Sequence, residues 1–112
     1  MVQITLNTLK RHRAENTRFS VVTAYDACFT RIASEAGVDA ILVGDSLGMV
    51  LQGHNSTLPV TVADIAYHTQ SVAAASTHCL IVADIPFMAS ATKQDAVDSA
   101  RELMQAGAHI VK

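Results

Sequence analysis

The sequence predicts an α/β fold, a (β/α)8 TIM barrel of which these 112 residues supply the first three βα units and strand four. Three observations carry this expectation. Short, almost wholly apolar runs alternate with helical patterns in the order β-α-β-α-β-α-β, as a parallel sheet covered on both faces requires. Each run ends on a polar or charged residue, Asp26, Asp45, Asp84 or Lys112, and barrels place their chemistry at the C-terminal ends of the strands. No Gly-x-Gly-x-x-Gly turn follows the first run, so the open dinucleotide-binding sheet lacks its phosphate-binding device. A doubly wound sheet shares the alternation; the last two observations favour the barrel.

The elements follow in chain order. Residues 1–16 read as a helix ahead of the barrel, covering its bottom, and residues 19–112 as the βαβαβαβ part of a single barrel domain. Phe19 to Ala24 is apolar and β-branched, a buried strand. From Ala27 to Ala36, Phe29, Ile32, Ala33 and Ala36 recur at helical spacing, and Gly37 supplies the left-handed stop. Strand two is Ala40 to Val43. Asp64 to Ala75 is helical, with His68 and Val72 on one stripe, and strand three runs from Leu80 to Ala83. Thr92 caps a helix to Ala106 through Ala96, Val97, Ala100, Leu103 and Met104, and strand four begins at His109. The stretch from Glu35 to Val43 resembles Gln105 to Val111, so one helix–Gly–strand unit is repeated.

Composition narrows the function classes. Half the residues are hydrophobic and 16% are charged, yet no run of about 18 apolar residues exists to cross a bilayer. The first ten residues carry no basic start and apolar block, so the expectation is a cytoplasmic protein without a secretory signal. A net charge of −2 argues against nucleic acid, and Lys10, Arg11 and Arg13 read as a solvated helix face. Cys28 and Cys79 lack partners at metal or redox spacing and read as buried free thiols.

Chemistry gathers at the strand ends. Alternation along strands sends Asp45 the way of Val43 and Asp84 the way of Val82. Two carboxylates at the same level on neighbouring strands, about 4.8 Å apart, come close enough to share a cation. Hard oxygen donors without a Cys or His pair point to Mg²⁺, which takes one or two protein carboxylates and leaves other positions to water and substrate. Asp26, directly before a helix, is the strand-end Asp best suited to capping. Residues 46–61 form a connection far longer than the roughly two to six residues a βα loop needs, and Ser46 stands where its hydroxyl and N–H can hold a carboxylate. Lys112 puts a cation beside an anionic ligand. His12, His68, His78 and His109 read as surface or packing residues, leaving His54 as the histidine to watch.

Gly44-Asp45-Ser46-Leu47 also spells a serine-hydrolase signature with Ser46 as nucleophile. That reading needs a base at an Asp-x-x-His spacing, and Asp64 and His68 stand one residue too far apart.

The motifs Thr23-Ala24-Tyr25-Asp26, Val43-Gly44-Asp45-Ser46-Leu47-Gly48-Met49, Gln52-Gly53-His54, Ser56-Thr57-Leu58-Pro59-Val60-Thr61, Asp84-Ile85-Pro86-Phe87-Met88 and Ala106-Gly107-Ala108…Val111-Lys112 closely resemble the ketopantoate hydroxymethyltransferases. The chain departs from that pattern at Asn55, where Asp is expected, and at Ser90, where Tyr is common. The resemblance implies a barrel of the phosphoenolpyruvate/pyruvate superfamily. It implies transfer of a one-carbon unit from 5,10-methylenetetrahydrofolate to 3-methyl-2-oxobutanoate through a Mg²⁺-stabilised enolate, by a homo-oligomer of pantothenate biosynthesis. On this resemblance Asp45 and Asp84 bind metal and substrate, and Ser46 and Lys112 hold the keto acid's carboxylate. A supporting Glu and the general base are expected after Lys112, so no catalytic base lies within the chain, which is expected to be an inactive part of a barrel of about 250 residues. A carbon–carbon lyase acting on a related keto acid is the alternative within the superfamily.

Overall fold

The structure, a computed structural model, describes all 112 residues. Its elements in chain order are α1 (Leu6–Ala14), β1 (Val21–Thr23), α2 (Ala27–Glu35), β2 (Ala40–Val43), α3 (Leu47–Val50), α4 (Val62–Ala75), β3 (Leu80–Ala83), α5 (Lys93–Gln105) and β4 (Ile110–Val111). The four strands pair in parallel in the order β1-β2-β3-β4. Sequential order with crossovers of one hand lays every crossover helix on the same face. Accordingly α2 packs on α4 and α4 on α5, with α4 seated over β2 and β3 and α5 over β4. A doubly wound sheet would reverse its order and cover both faces, so this is an arc of a barrel.

The core lies between sheet and helices. Ile41, Val43, Ile81 and Ala83 point into the helical layer and meet Ile65, Val72 and Leu103, while Leu42 and Val82 on the concave face are half-buried. Ile41, Leu47, Ile65, Ile81 and Leu103 are completely buried, each contributing about 1.5–3 kcal/mol by leaving water.

Capping sets the helix starts. Asp26 caps α2 by accepting from Phe29 N–H at 2.8 Å, the structural role expected of it. Thr61 caps α4 in a box in which Asp64 N–H donates to the Thr61 hydroxyl and Thr61 N–H donates to Asp64 at 2.9 Å. Thr92 caps α5.

Four expectations change. The first strand is shorter and exposed along its length, because β1 is an edge with no helix closed over it. Helix α2 buries Thr30 and Ser34, leaving Phe29 65% and Ile32 55% exposed. Small hydroxyl residues let the helix approach closely once their polar atoms are satisfied, and the Thr30 hydroxyl donates to Asp26 O at 2.6 Å while Ser34 reaches Cys79 Sγ at 3.5 Å. Of the two thiols expected to be buried, Cys79 is buried and Cys28 is exposed, since Cys28 lies on the outer side of α2. Finally, α1 buries no residue; the segment before it crosses the barrel bottom, with Ile4 N–H donating to His78 O at 2.8 Å and Gln3 Nε2 to Cys79 O at 3.2 Å.

The repeated unit is visible as Gly37 and Gly107, both at positive φ after α2 and α5. At Gly107, φ is +121° and a Cβ would stand 2.4 Å from Ala73 Cβ on α4. Gly107→Ala is therefore expected to destabilise by about 2–4 kcal/mol, read as a lower urea midpoint; an unchanged midpoint contradicts this packing. Asp64 is held below the ordinary carboxylate range chiefly by the Thr61 backbone N–H, with its hydroxyl and Gln52 adding and partial burial opposing. A depressed carboxylate contributes stability that is complete above about pH 4 and lost as pH falls through its folded value. Asp64→Asn should cost about 0.5–1 kcal/mol at neutral pH, a difference that shrinks in urea titrations below about pH 4.

Candidate active site

Strand register decides which side chains meet at the rim. Val43 pairs with Ala83, and Ala83 with Val111. The ladder runs beyond the strands, with Asp84 N–H donating to Val43 O at 3.0 Å, Lys112 N–H to Ala83 O at 2.9 Å and Ile85 N–H to Lys112 O at 2.7 Å. On the other side Thr23 pairs with Leu42, and Ala24 N–H donates to Leu42 O at 3.3 Å. Carried forward, this register sets Tyr25, Gly44, Asp84 and Lys112 in one row across the four strand ends. Within the strands, alternation puts Thr23, Leu42, Val82 and Ile110 on the concave face beneath this row.

Asp84 is the hub. Only 8% exposed, it receives Lys112 Nζ on Oδ1 at 3.1 Å and Asp45 N–H on Oδ2 at 3.0 Å. The cross-strand register accounts for the ion pair, since Lys112 and Asp84 are direct neighbours on one face. Gly44, between Tyr25 and Asp84, contributes no side chain, and that vacancy matters. A Cβ there would stand 3.2 Å from Ser46 Oγ and 3.4 Å from Asp84 Oδ2, so glycine is what admits the Ser46 hydroxyl to the row.

The two carboxylates do not stand level. Gly44 is opposite Asp84, and Asp45 lies one residue further on, in the turn that opens α3. Strand alternation ends with the strand, which is why extrapolating it to Asp45 fails. What Asp45 offers Asp84 is its backbone N–H; its own carboxylate accepts no hydrogen bond from the chain and is half-buried at the same rim.

Ser46 begins α3 without capping it. Its hydroxyl lies 2.6 Å from the phenol of Tyr25, a residue that sequence reasoning passed over. The available signal was position, because Tyr25 follows the end of β1 at the same rim as Ser46. Ser46 has a phenol and not an imidazole as its partner, so the base of a serine hydrolase is missing from its side. Among the histidines, His68 is tied to the site, its Nδ1–H donating to the Tyr25 carbonyl at 3.0 Å, whereas His54 is exposed. His78 is buried at the bottom, bonded to Val38 O at 3.1 Å.

No group of three or more His, Cys, Asp or Glu side chains gathers to hold a metal. Carboxylate oxygens such as those of Asp45 and Asp84 are hard donors, the kind of which Mg²⁺ takes one or two from a protein while water and ligand fill its other positions. No helix is long and apolar enough to cross a membrane.

A solved phosphonopyruvate hydrolase in complex with oxalate and Mg²⁺ superposes with a TM-score of 0.76 at 15% identity, over 96% of this chain and 38% of that one. A 2,3-dimethylmalate lyase, a member of the PEP mutase/isocitrate lyase superfamily, superposes with a TM-score of 0.69 at 20% identity, over 99% of this chain and 39% of that one. These likenesses show a shared fold over that part of each solved chain. The 3-methyl-2-oxobutanoate hydroxymethyltransferase of Marinobacter nauticus is 57% identical over 109 residues, 97% of this chain and 41% of the relative. The chain thus spans about two fifths of the length of the curated relatives it matches. The family model for ketopantoate hydroxymethyltransferase matches residues 3–112, and with identity above one half along the same stretch, the chain belongs to the ketopantoate hydroxymethyltransferase family.

Proposed function

We propose that these residues form the metal- and keto-acid-binding part of an enzyme that transfers a hydroxymethyl group from 5,10-methylenetetrahydrofolate to 3-methyl-2-oxobutanoate, giving 2-dehydropantoate for pantothenate biosynthesis. The observation that carries the reading is the buried Asp84 carboxylate, fixed on one oxygen by Lys112 and on the other by the Asp45 amide.

In this reading Asp45 and Asp84 hold Mg²⁺. The ion, when bound, supplies Lewis-acid stabilisation of the negative charge that develops on the keto oxygen as the C3 proton leaves. Asp84 is pre-oriented for this role, because both its oxygens are already anchored and its side chain has little rotamer freedom left to lose. The Lys112 ammonium carries three donors, so it can keep one on Asp84 and turn another toward the keto acid's carboxylate. Ser46 meets the same carboxylate with hydroxyl and backbone N–H, fixing which face of C3 is presented to the one-carbon donor. The group that removes the C3 proton is expected among residues after Lys112. The reading includes a cytoplasmic homo-oligomer acting on small molecules, in keeping with the family resemblance.

The test is exchange of the C3 proton of 3-methyl-2-oxobutanoate in D₂O, followed by NMR on the family-length protein carrying these residues. Asp84→Asn, which keeps the shape and removes the charge, is expected to reduce Mg²⁺-dependent exchange by about 100-fold or more. Wild-type exchange in that variant would overturn the proposed role of Asp84.

A further inference from the structure

Tyr25 stands in the rim row but has no part in the reaction as described above. Its phenolic oxygen lies 2.6 Å from Ser46 Oγ, a short contact for two hydroxyls. Its backbone is anchored from α4, where His68 Nδ1–H donates to the Tyr25 carbonyl at 3.0 Å and the two rings meet edge to face at 6.5 Å. Ser46 opens a helix and yet makes no side-chain cap, so its hydroxyl is withheld from the use an N-terminal serine ordinarily has. Gly44 clears the space in which that hydroxyl sits, 3.2 Å from where a Cβ would be. Two independent features, a phenol on one side and a missing methyl on the other, therefore aim one serine oxygen.

A hydroxyl has a single hydrogen to give. If Ser46 spent it on Tyr25, only lone pairs would face an incoming carboxylate, and the contact would be repulsive. If Tyr25 donates to Ser46 Oγ, the serine hydrogen is released to the anion, and the two bonds polarise one another in the same direction.

We propose that Tyr25 is a positioning residue for keto-acid binding: its phenol donates to Ser46 Oγ and so turns the serine hydrogen toward the substrate carboxylate. The proposal rests on the reading of Ser46 as a carboxylate ligand. It concerns ground-state orientation of the anion and leaves the transfer step to other groups.

The experiment is a double-mutant cycle on the family-length protein with Mg²⁺, using Tyr25→Phe, Ser46→Ala and the double variant, with thermal melts of each to verify folding. The readouts are calorimetric Kd for 3-methyl-2-oxobutanoate and the separate KM values for keto acid and folate donor. Tyr25→Phe is expected to weaken keto-acid binding by about fivefold, raising its KM alone, with the folate KM and kcat within about twofold. In the Ser46→Ala background the same change is expected to add nothing. Loss on Ser46→Ala with no loss on Tyr25→Phe, or with additive losses, overturns the Tyr25 proposal and leaves the reading of Ser46 standing. Unchanged binding in Ser46→Ala overturns the reading and the proposal together. A Tyr25→Phe protein that melts early and loses kcat and both KM values alike marks Tyr25 as structural, which also overturns the proposal.

Discussion

Parallel pairing is the constraint from which the rest follows. Strands that all run one way must be joined by crossovers, and the crossovers cover one face with α2, α4 and α5. The same polarity brings all four C-terminal ends to one rim, so residues distant in sequence become neighbours by register alone. Lys112 reaches Asp84 across 28 positions of chain because Val111 is paired with Ala83. Nothing in the immediate sequence of either residue specifies that contact; the hydrogen-bond ladder does.

Much of this was legible in the residues. Ala40–Val43 and Leu80–Ala83 are wholly apolar runs between turn signals, and their bounds in the structure coincide with that reading. Helix starts at Ala27 and Lys93 follow Asp26 and Thr92, whose side chains cap, whereas α4 begins at Val62 on a Thr61 cap, two residues before the start expected at Asp64. Legibility failed where a regular period stopped or where packing depended on a partner. The level of Asp45 does not follow from side-chain alternation, which holds only while the backbone stays extended, and the chain turns after Gly44. The buried face of α2 was misjudged because Phe29 and Ile32 are apolar, whereas Thr30 and Ser34 are small enough to let α2 settle against α4. Tyr25 escaped notice because its role depends on a residue 21 positions away that comes within reach only after the sheet forms.

The apolar residues left in solvent also have a pattern. Val21, Val22, Phe29 and Ile32 cluster on β1 and α2 at one margin of the arc, and Val97 and Met104 on α5 toward the other. Both flanking strands, β1 and β4, carry unpaired backbone groups along their outer sides. Continuation of the barrel on either side would cover both kinds of surface at once, and the family's greater length is consistent with that.

The ion pair at the rim has a further electrostatic meaning. At rest, two carboxylates and one ammonium leave the site with a single net negative charge. A dication alone would invert that charge to positive, and a monoanionic keto acid alone would deepen it. Bound together they bring the cluster to neutrality, which is the state a partly desolvated group of ions tolerates best. In the proposed function, the formal charges of Asp45, Asp84 and Lys112 would make cation and anion binding mutually reinforcing, each ligand lowering the electrostatic cost of the other.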